Sequence, residues 1–293
     1  MFIPPHSIDL TPYLSAKQQF PALFQTRPID SHKGTFGTLG LIGGTTGMSG
    51  ALVLAATAAI YSGCGKVWAG FQQPSLPMPL IPDRPEIMLS TAIQLQQRDD
   101  ISAWVCGCGL GLQENAYQVL QQQLAFPQPK PLLLDADALT LLAHYPELAQ
   151  AARHYPHLII TPHPSEAARL LHTTTSQIQA DRLNAVKKLA EQFQAIAVLK
   201  GHQTLIATPD GNIYQNQSGN AGLATAGSGD VLCGMMGALL AQGIAPYEAA
   251  QCGIWLHGAA ADALKTLYVG EIGMLSGEIV LAARWLRNRL LAE

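Results

Sequence analysis

The residues best suited to chemistry lie in one loop, Gly219-Asn-Ala-Gly-Leu-Ala-Thr-Ala-Gly-Ser-Gly-Asp230, directly before an apolar helical run. Gly227 and Gly229 let the backbone approach a ligand closely. The helix that follows offers its first N–H groups and the positive end of its dipole to an anion. Asp230 stands at the start of that helix. A carboxylate beside a bound phosphate repels it, so its presence makes sense if it takes a proton from a hydroxyl that then attacks the phosphate. The fragment Gly-Ser-Gly-Asp alone leaves a structural alternative open, a turn closed by an N-cap aspartate.

Other chemically able residues sit near the ends of apolar runs. Lys200 follows Ala195 to Leu199, and an open α/β sheet binds its ligands at such carboxyl ends, so a phosphate neutraliser belongs there. Asp135 and Asp137 flank a strand end and a helix start. Asp137 is expected to be an N-cap, while Asp135 is a candidate for placing Mg²⁺. His163, between Pro162 and Pro164, is either a turn residue or a ligand contact. Lys33, with Gly34 and Gly37 beside it, either reaches a phosphate or solvates a loop. Cys106-x-Cys108 has no second Cys pair or His cluster to complete a tetrahedral zinc site. His257 falls in a late apolar helix, where a satisfied core histidine is expected.

The elements that must position these groups alternate. Thr38 to Ile42, Lys66 to Phe71, Ala103 to Cys106, Pro131 to Leu134, Leu158 to Thr161 and Ala195 to Leu199 read as strands buried on both faces. Helical stretches lie between them: Gly50 to Tyr61, Glu114 to Leu124, Ala138 to Tyr145, Ser165 to Leu171 and Ser176 to Phe193. Such alternation implies a mostly parallel central sheet with helices on both faces. Thr204 to Thr208 and Asn212 to Gln215 flank Pro209-Asp210-Gly211, which predicts an antiparallel hairpin at one edge. The tail from Asp230 to Arg289 reads as helix, broken near Gly243-Pro246 and again over Gly270 to Ser276. Gln73 to Pro85, rich in proline, is expected to be a surface excursion. With no repeat or linker, residues 1–293 read as a single α/β domain.

Composition narrows the function classes. Of 293 residues, 48% are hydrophobic and 13% charged, with 17 Lys+Arg against 20 Asp+Glu and a formal net charge of −3. Disorder needs the opposite balance, and a chain this long buries roughly three quarters of its unfolded surface. Seventeen basic residues with no run among them cannot track a nucleic-acid backbone. The apolar stretches Ala51–Ile60 and Val231–Ala241 fall short of the ~20 residues of a membrane span, and Met1 to Leu10 shows no secretory signal. Five cysteines among apolar neighbours suit a reducing cytoplasm rather than a disulfide framework.

Gly227-Ser228-Gly229-Asp230 resembles the anion-hole motif of the ribokinase-like superfamily, whose aspartate is the base for phosphoryl transfer. Within it, the chain resembles the ADP-dependent (S)-NAD(P)H-hydrate dehydratase family. The matching pieces run in order: Lys33-Gly34-Thr35-Phe36-Gly37, Gly43-Gly44, Met48-Ser49-Gly50-Ala51, Ser62-Gly63-Cys64-Gly65, Gly107-Cys108-Gly109-Leu110-Gly111, Asp135-Ala136-Asp137-Ala138-Leu139, Thr161-Pro162-His163-Pro164-Ser165-Glu166 and Lys200-Gly201. The resemblance implies a metabolite-repair lyase with Mg²⁺ as cofactor and ADP as co-substrate. It would restore NADH or NADPH hydrated at carbon 6 of the nicotinamide ring. It also implies roles. Asp230 would be the base and contact the substrate; Ala51, Gly109 and His163 would line the nicotinamide side. Lys200, Gly201, His202, Gln203 and Thr204 would wrap the adenine nucleotide, Gly227 and Ser228 would also bind it, and Gly229 would lie against its AMP part. The metal ligands are not assigned. Cys108 stands where the family commonly has proline. Many relatives carry an N-terminal epimerase domain, for which the thirty-odd residues before Lys33 are too few. Epimerisation would then come from a separate protein, and the resemblance points to a homotetramer.

Two other functions compete. A ribokinase-like kinase of a vitamin precursor would share the Gly-Ser-Gly-Asp chemistry but release a stable phosphate ester. A non-catalytic nucleotide sensor would keep the pocket and lose turnover; it gains nothing from a base beside the phosphate.

Overall fold

The apolar runs become strands because their side chains alternate between two cores. In the computed structural model, which describes residues 9–125, 127–267 and 269–293, nine strands form one sheet: β1 Thr38–Gly43, β2 Lys66–Phe71, β3 Met88–Thr91, β4 Ala103–Cys106, β5 Leu132–Leu134, β6 Leu158–Ile160, β7 Ile196–Leu199, β8 Leu205–Ala207 and β9 Ile213–Gln215. The order is β3-β2-β1-β4-β5-β6-β7-β8-β9. Pairing is parallel from β3 to β7 and antiparallel for β7–β8–β9. The mostly parallel sheet and its edge hairpin are therefore as the sequence predicts. Leu39, Leu41, Val105, Leu133, Ile159, Val198 and Ile206 point into one core. Their neighbours Ile42, Trp104, Cys106, Leu132, Leu134, Ile160, Leu199 and Leu205 point into the other. A period of two along each strand makes both faces apolar and fixes the register.

The first core is closed by the helices Ser49–Tyr61, Ser228–Ala241, Pro246–Leu267 and Ser276–Ala292. Ser49–Tyr61 and Ser228–Ala241 pack very closely: a Cβ on Gly234 would overlap the carbonyl of Ala55. The second core is closed by Glu114–Leu124, Asp137–His144, Pro146–Arg153 and Arg182–Phe193.

Some elements depart from the sequence reading. β3 was not expected; it follows the largely exposed Gln73–Pro85 excursion and adds an edge to β2. The Pro146–Arg153 helix was also missed, although proline at its first turn is a common start. The single helix expected over Ser176 to Phe193 is two, Thr175–Ala180 and Arg182–Phe193, because Asp181 caps the second by accepting the Asn184 N–H at 3.0 Å. Asp137 is not an N-cap. Ala136 occupies that position at φ 49°, and the Asp137 carboxylate instead accepts the Gly111 N–H at 2.8 Å, tying two loops together. The Met1–Leu10 segment read for a signal lies mostly outside the described residues. Among the described residues, no helix is long and apolar enough to cross a membrane.

Candidate active site

Three neighbouring strands deliver three polar groups at the same level. One residue beyond β5 is Asp135, one beyond β6 is Thr161, and one beyond β7 is Lys200. The Lys200 backbone N–H donates to the Pro162 carbonyl at 2.9 Å, joining two of these loops. Lys200 Nζ lies 2.5 Å from Asp135 Oδ1 and 3.9 Å from Glu166 Oε2. Asp135 is only 2% exposed and also accepts hydrogen bonds from the Thr161 hydroxyl at 2.8 Å and the Cys233 thiol at 3.2 Å. Burial alone would raise the Asp135 carboxyl, but the Lys200 ammonium and these donors hold it below its ordinary value. Burial would lower Lys200, yet the Asp135 and Glu166 carboxylates keep it firmly charged. The result is a permanent cation at the carboxyl edge of the sheet.

His163 begins the Pro164–Leu170 helix as part of a capping box. Its Nδ1 accepts the N–H groups of Ser165 and Glu166 at 3.2 and 3.3 Å, so the proton resides on Nε2, 3.2 Å from Glu166 Oε1. Glu166 Oε2 in turn accepts the His163 N–H at 2.7 Å. Burial raises the Glu166 carboxyl above its usual range, opposed by Lys200. Burial and the nearby Lys200 charge lower the His163 imidazole. His163 thus has a structural task, while its half-exposed ring also faces the cavity.

Gly227, at φ 84°, turns the chain into the Ser228–Ala241 helix. Ser228, Gly229 and Asp230 form its first turn; the Ser228 N–H donates to the Thr225 carbonyl at 3.3 Å, while those of Gly229 and Asp230 have no preceding turn to bond. A Cβ on Gly229 would lie 3.6 Å from Lys200 Nζ and 3.8 Å from Asp135 Oδ2. The space above Gly229 is therefore walled by a helix start and an ammonium, a cradle for an anion. Burial raises the Asp230 carboxyl above its ordinary value; the Cys108 thiol opposes this, and the charge of Asp135 adds to it. An elevated carboxyl pKa next to an anion site suits a proton acceptor near neutral pH.

A cavity of about 930 Å³ opens beside this cradle. His163, Lys200, Gly201, His202, Gln203, Thr204, Ser228 and Gly229 all line it. Arg182 braces the Lys200–Thr204 segment by donating to the Leu199 and Lys200 carbonyls at 3.1 and 3.4 Å. Gly227, Asp230, Ala51 and Gly109 are not among its walls. Ala51 and Gly109 neighbour one another: a Cβ on Gly109 would lie 3.3 Å from that of Ala51. Asp230 thus stands between the nucleotide-sized cavity and the Cys108–Gly109 loop. Lys33 is exposed and lines no part of the cavity.

Sequence reasoning gave no role to Glu166, Asn216, Ser218, Asn220 or Cys233. The spacing of Glu166 three residues after His163 signalled a capping box; nothing in the sequence joined Cys233 to Asp135. His257 is buried as expected, but it also lines the cavity, with Nε2 3.4 Å from the Ser228 hydroxyl. Among the described residues no three carboxylates meet to cage an ion. The Asp135 and Asp230 carboxylates beside the cradle are oxygen donors of the kind Mg²⁺ takes.

A family model described as NAD(P)H-hydrate dehydratase matches residues 39–281. An ADP-dependent (S)-NAD(P)H-hydrate dehydratase of Neisseria meningitidis is 58% identical over 277 residues, 94% of each chain. A bifunctional NAD(P)H-hydrate repair enzyme of Escherichia coli is 41% identical over 90% of this chain but only 50% of its own length. Among solved structures, an ADP/ATP-dependent NAD(P)H-hydrate dehydratase of Bacillus subtilis, co-crystallised with ATP and Mg²⁺, aligns with a TM-score of 0.82 and 32% identity over 94% of this chain and 98% of its own. A ribokinase-like superfamily protein of Enterococcus faecalis aligns at 0.79 with 30% identity, covering 92% and 94%.

Proposed function

The chain belongs to the NAD(P)H-hydrate dehydratase family, and from that premise we propose that it dehydrates the S epimer of hydrated NADH or NADPH at the expense of ADP, releasing AMP and phosphate. The observation that carries the chemistry is the part-buried Lys200 ammonium beside the helix start that ends in Asp230. The ADP phosphates sit in the cradle above Gly229, neutralised by Lys200 and the helix dipole. Lys200 to Thr204 and Ser228 hold the nucleotide in the cavity; Ala51, Gly109 and His163 border the nicotinamide ring. Asp135 and Asp230 would hold Mg²⁺, which would supply charge neutralisation of the phosphates when bound.

Hydroxide leaves a carbon poorly, so the hydroxyl must first be esterified. Asp230 accepts its proton as the oxygen attacks the terminal phosphoryl group of ADP, and AMP departs. The Lys200 ammonium and the first N–H groups of the helix stabilise the charge on the transferring group. The ring-nitrogen lone pair then expels phosphate, and loss of a neighbouring ring proton restores the dihydronicotinamide. A vitamin-precursor kinase would stop at the ester; the Neisseria relative's activity favours elimination.

The test mixes protein, Mg²⁺, ADP and hydrated NADH and follows the near-ultraviolet band of the intact cofactor. Recovery that needs ADP and releases AMP and phosphate supports the reading, whereas a flat trace with a stable ester would establish a kinase. Asp230→Asn should keep ADP affinity while cutting turnover by about 10²–10⁴-fold. Residues 1–293 act here as one dehydratase domain that takes the S epimer, so the R epimer is not itself its substrate. A homo-oligomer in the cytoplasm is the assembly and place proposed. The exposed Ile29, Ile272 and Leu275 support the former and light scattering tests it.

A further inference from the structure

Behind Lys200, two thiols that the reaction does not use converge on Asp135. Cys108 comes from the loop after β4, Cys233 from the Ser228–Ala241 helix, and Asp135 from the end of β5. Their exposures are 1%, 0% and 2%. One donor atom from each lies within 4.8 Å of the other two, and the Cys233 thiol donates to Asp135 Oδ2 at 3.2 Å. The cluster is formed from three separate elements and sealed from solvent.

We propose that Cys108, Cys233 and Asp135 form a binding site for a thiophilic divalent cation of the Zn²⁺ or Cd²⁺ class, and that its capture inhibits the enzyme. The donor set separates this ion from the Mg²⁺ that accompanies ADP, because two thiolates select soft and borderline cations while Mg²⁺ demands oxygen. Charge balances too. The ligating sulfurs must be thiolates, so one divalent ion replaces two thiol protons. The net charge of the cluster beside Lys200 is then unchanged. Zinc bonds of roughly 2.3 Å to sulfur and 2.0–2.2 Å to oxygen require the donors to draw together, which side-chain rotation supplies. The bound ion takes the Asp135 oxygen now given to Cys233 and draws the Cys108 sulfur away from Asp230. None of the three residues lines the nucleotide cavity, so adding more ADP does not relieve the inhibition.

The experiment titrates the reduced, metal-free, full-length protein with Cd²⁺ and records the thiolate-to-cadmium charge-transfer band. The expected result is saturation at one ion per chain with two protons released per ion. The band should vanish in Cys108→Ala and in Cys233→Ala and persist in Cys252→Ala. Zn²⁺ should displace Cd²⁺ and stop wild-type turnover, and Cys108→Ala should need at least roughly tenfold more Zn²⁺ to lose half its own rate. Absence of a saturable band, its survival in Cys108→Ala, or equal loss in Cys252→Ala overturns the proposal. If Cys233→Ala does not fold, the wild-type proton count still decides, since fewer than two protons per ion contradicts a two-thiolate site. The band forms without substrate, so its failure is separate from any failure of the dehydratase reading.

Discussion

His257 sits inside the wall of the cavity, where its ring nitrogen meets the Ser228 hydroxyl and burial lowers its pKa to about 4. Lys200, part-buried at the same cavity, is also desolvated but keeps its charge, because Asp135 and Glu166 supply the counter-charge that His257 lacks. This difference has a consequence for acid stability. An imidazole depressed in the folded state binds fewer protons than in the unfolded chain, so its contribution is intact above about pH 6.5 and is lost as pH falls toward 4. Stability should therefore decline across that window by about 3 kcal/mol on account of this group. Urea midpoints against pH for the wild type and His257→Gln measure it; identical slopes in the two proteins would remove His257 as the cause.

At the scale of elements, the Ser228–Ala241 helix does two jobs, and its glycines divide between them. Gly229 opens the anion cradle at the N-terminus, with only ordinary contacts awaiting an added Cβ. Gly234, a turn and a half further on, lets the helix press against the Ala55 carbonyl of its partner. Gly229→Ala should leave the melting temperature nearly unchanged and weaken ADP binding, because the methyl group fills the cradle. Gly234→Ala should do the reverse, destabilising by about 1–3 kcal/mol through overpacking. Thermal denaturation and ADP titration on both variants provide the check. A large loss of stability in Gly229→Ala, with ADP binding intact, would contradict this division.

The molecule as a whole gathers its site from segments far apart in the chain: Ala51, Gly109, Asp135, His163, Lys200 and Asp230 each follow a different strand or loop. The sheet holds them level, and the helices on its two faces hold the sheet. Ligand that binds only this assembled form must stabilise it by mass action. ADP at a hundred times its Kd should raise stability by about 2.7 kcal/mol. Asp230→Asn should retain this gain and Lys200→Ala should lose most of it, since one variant removes the base and the other the charge that holds phosphate. Scanning calorimetry with and without ADP reads both. Equal stabilisation of the Lys200 variant would place that residue outside the nucleotide site.

The sequence by itself determined the parallel sheet, its edge hairpin and the helical tail, because continuous apolar strands and Pro-Asp-Gly turn chemistry are local signals. It also marked Asp230, Lys200 and His163, since glycine-rich loops and strand ends show in the order of residues. It did not reveal β3, whose pairing to β2 is decided by a distant neighbour rather than by its own four residues. Nor did it assign Asp137, expected as a cap, to the Gly111 N–H 26 residues away. Only the tertiary structure brought Cys233 to Asp135 across 98 positions and set Glu166 beside Lys200. Those side chains interact through burial and proximity, and both arise only when the sheet has closed its two cores.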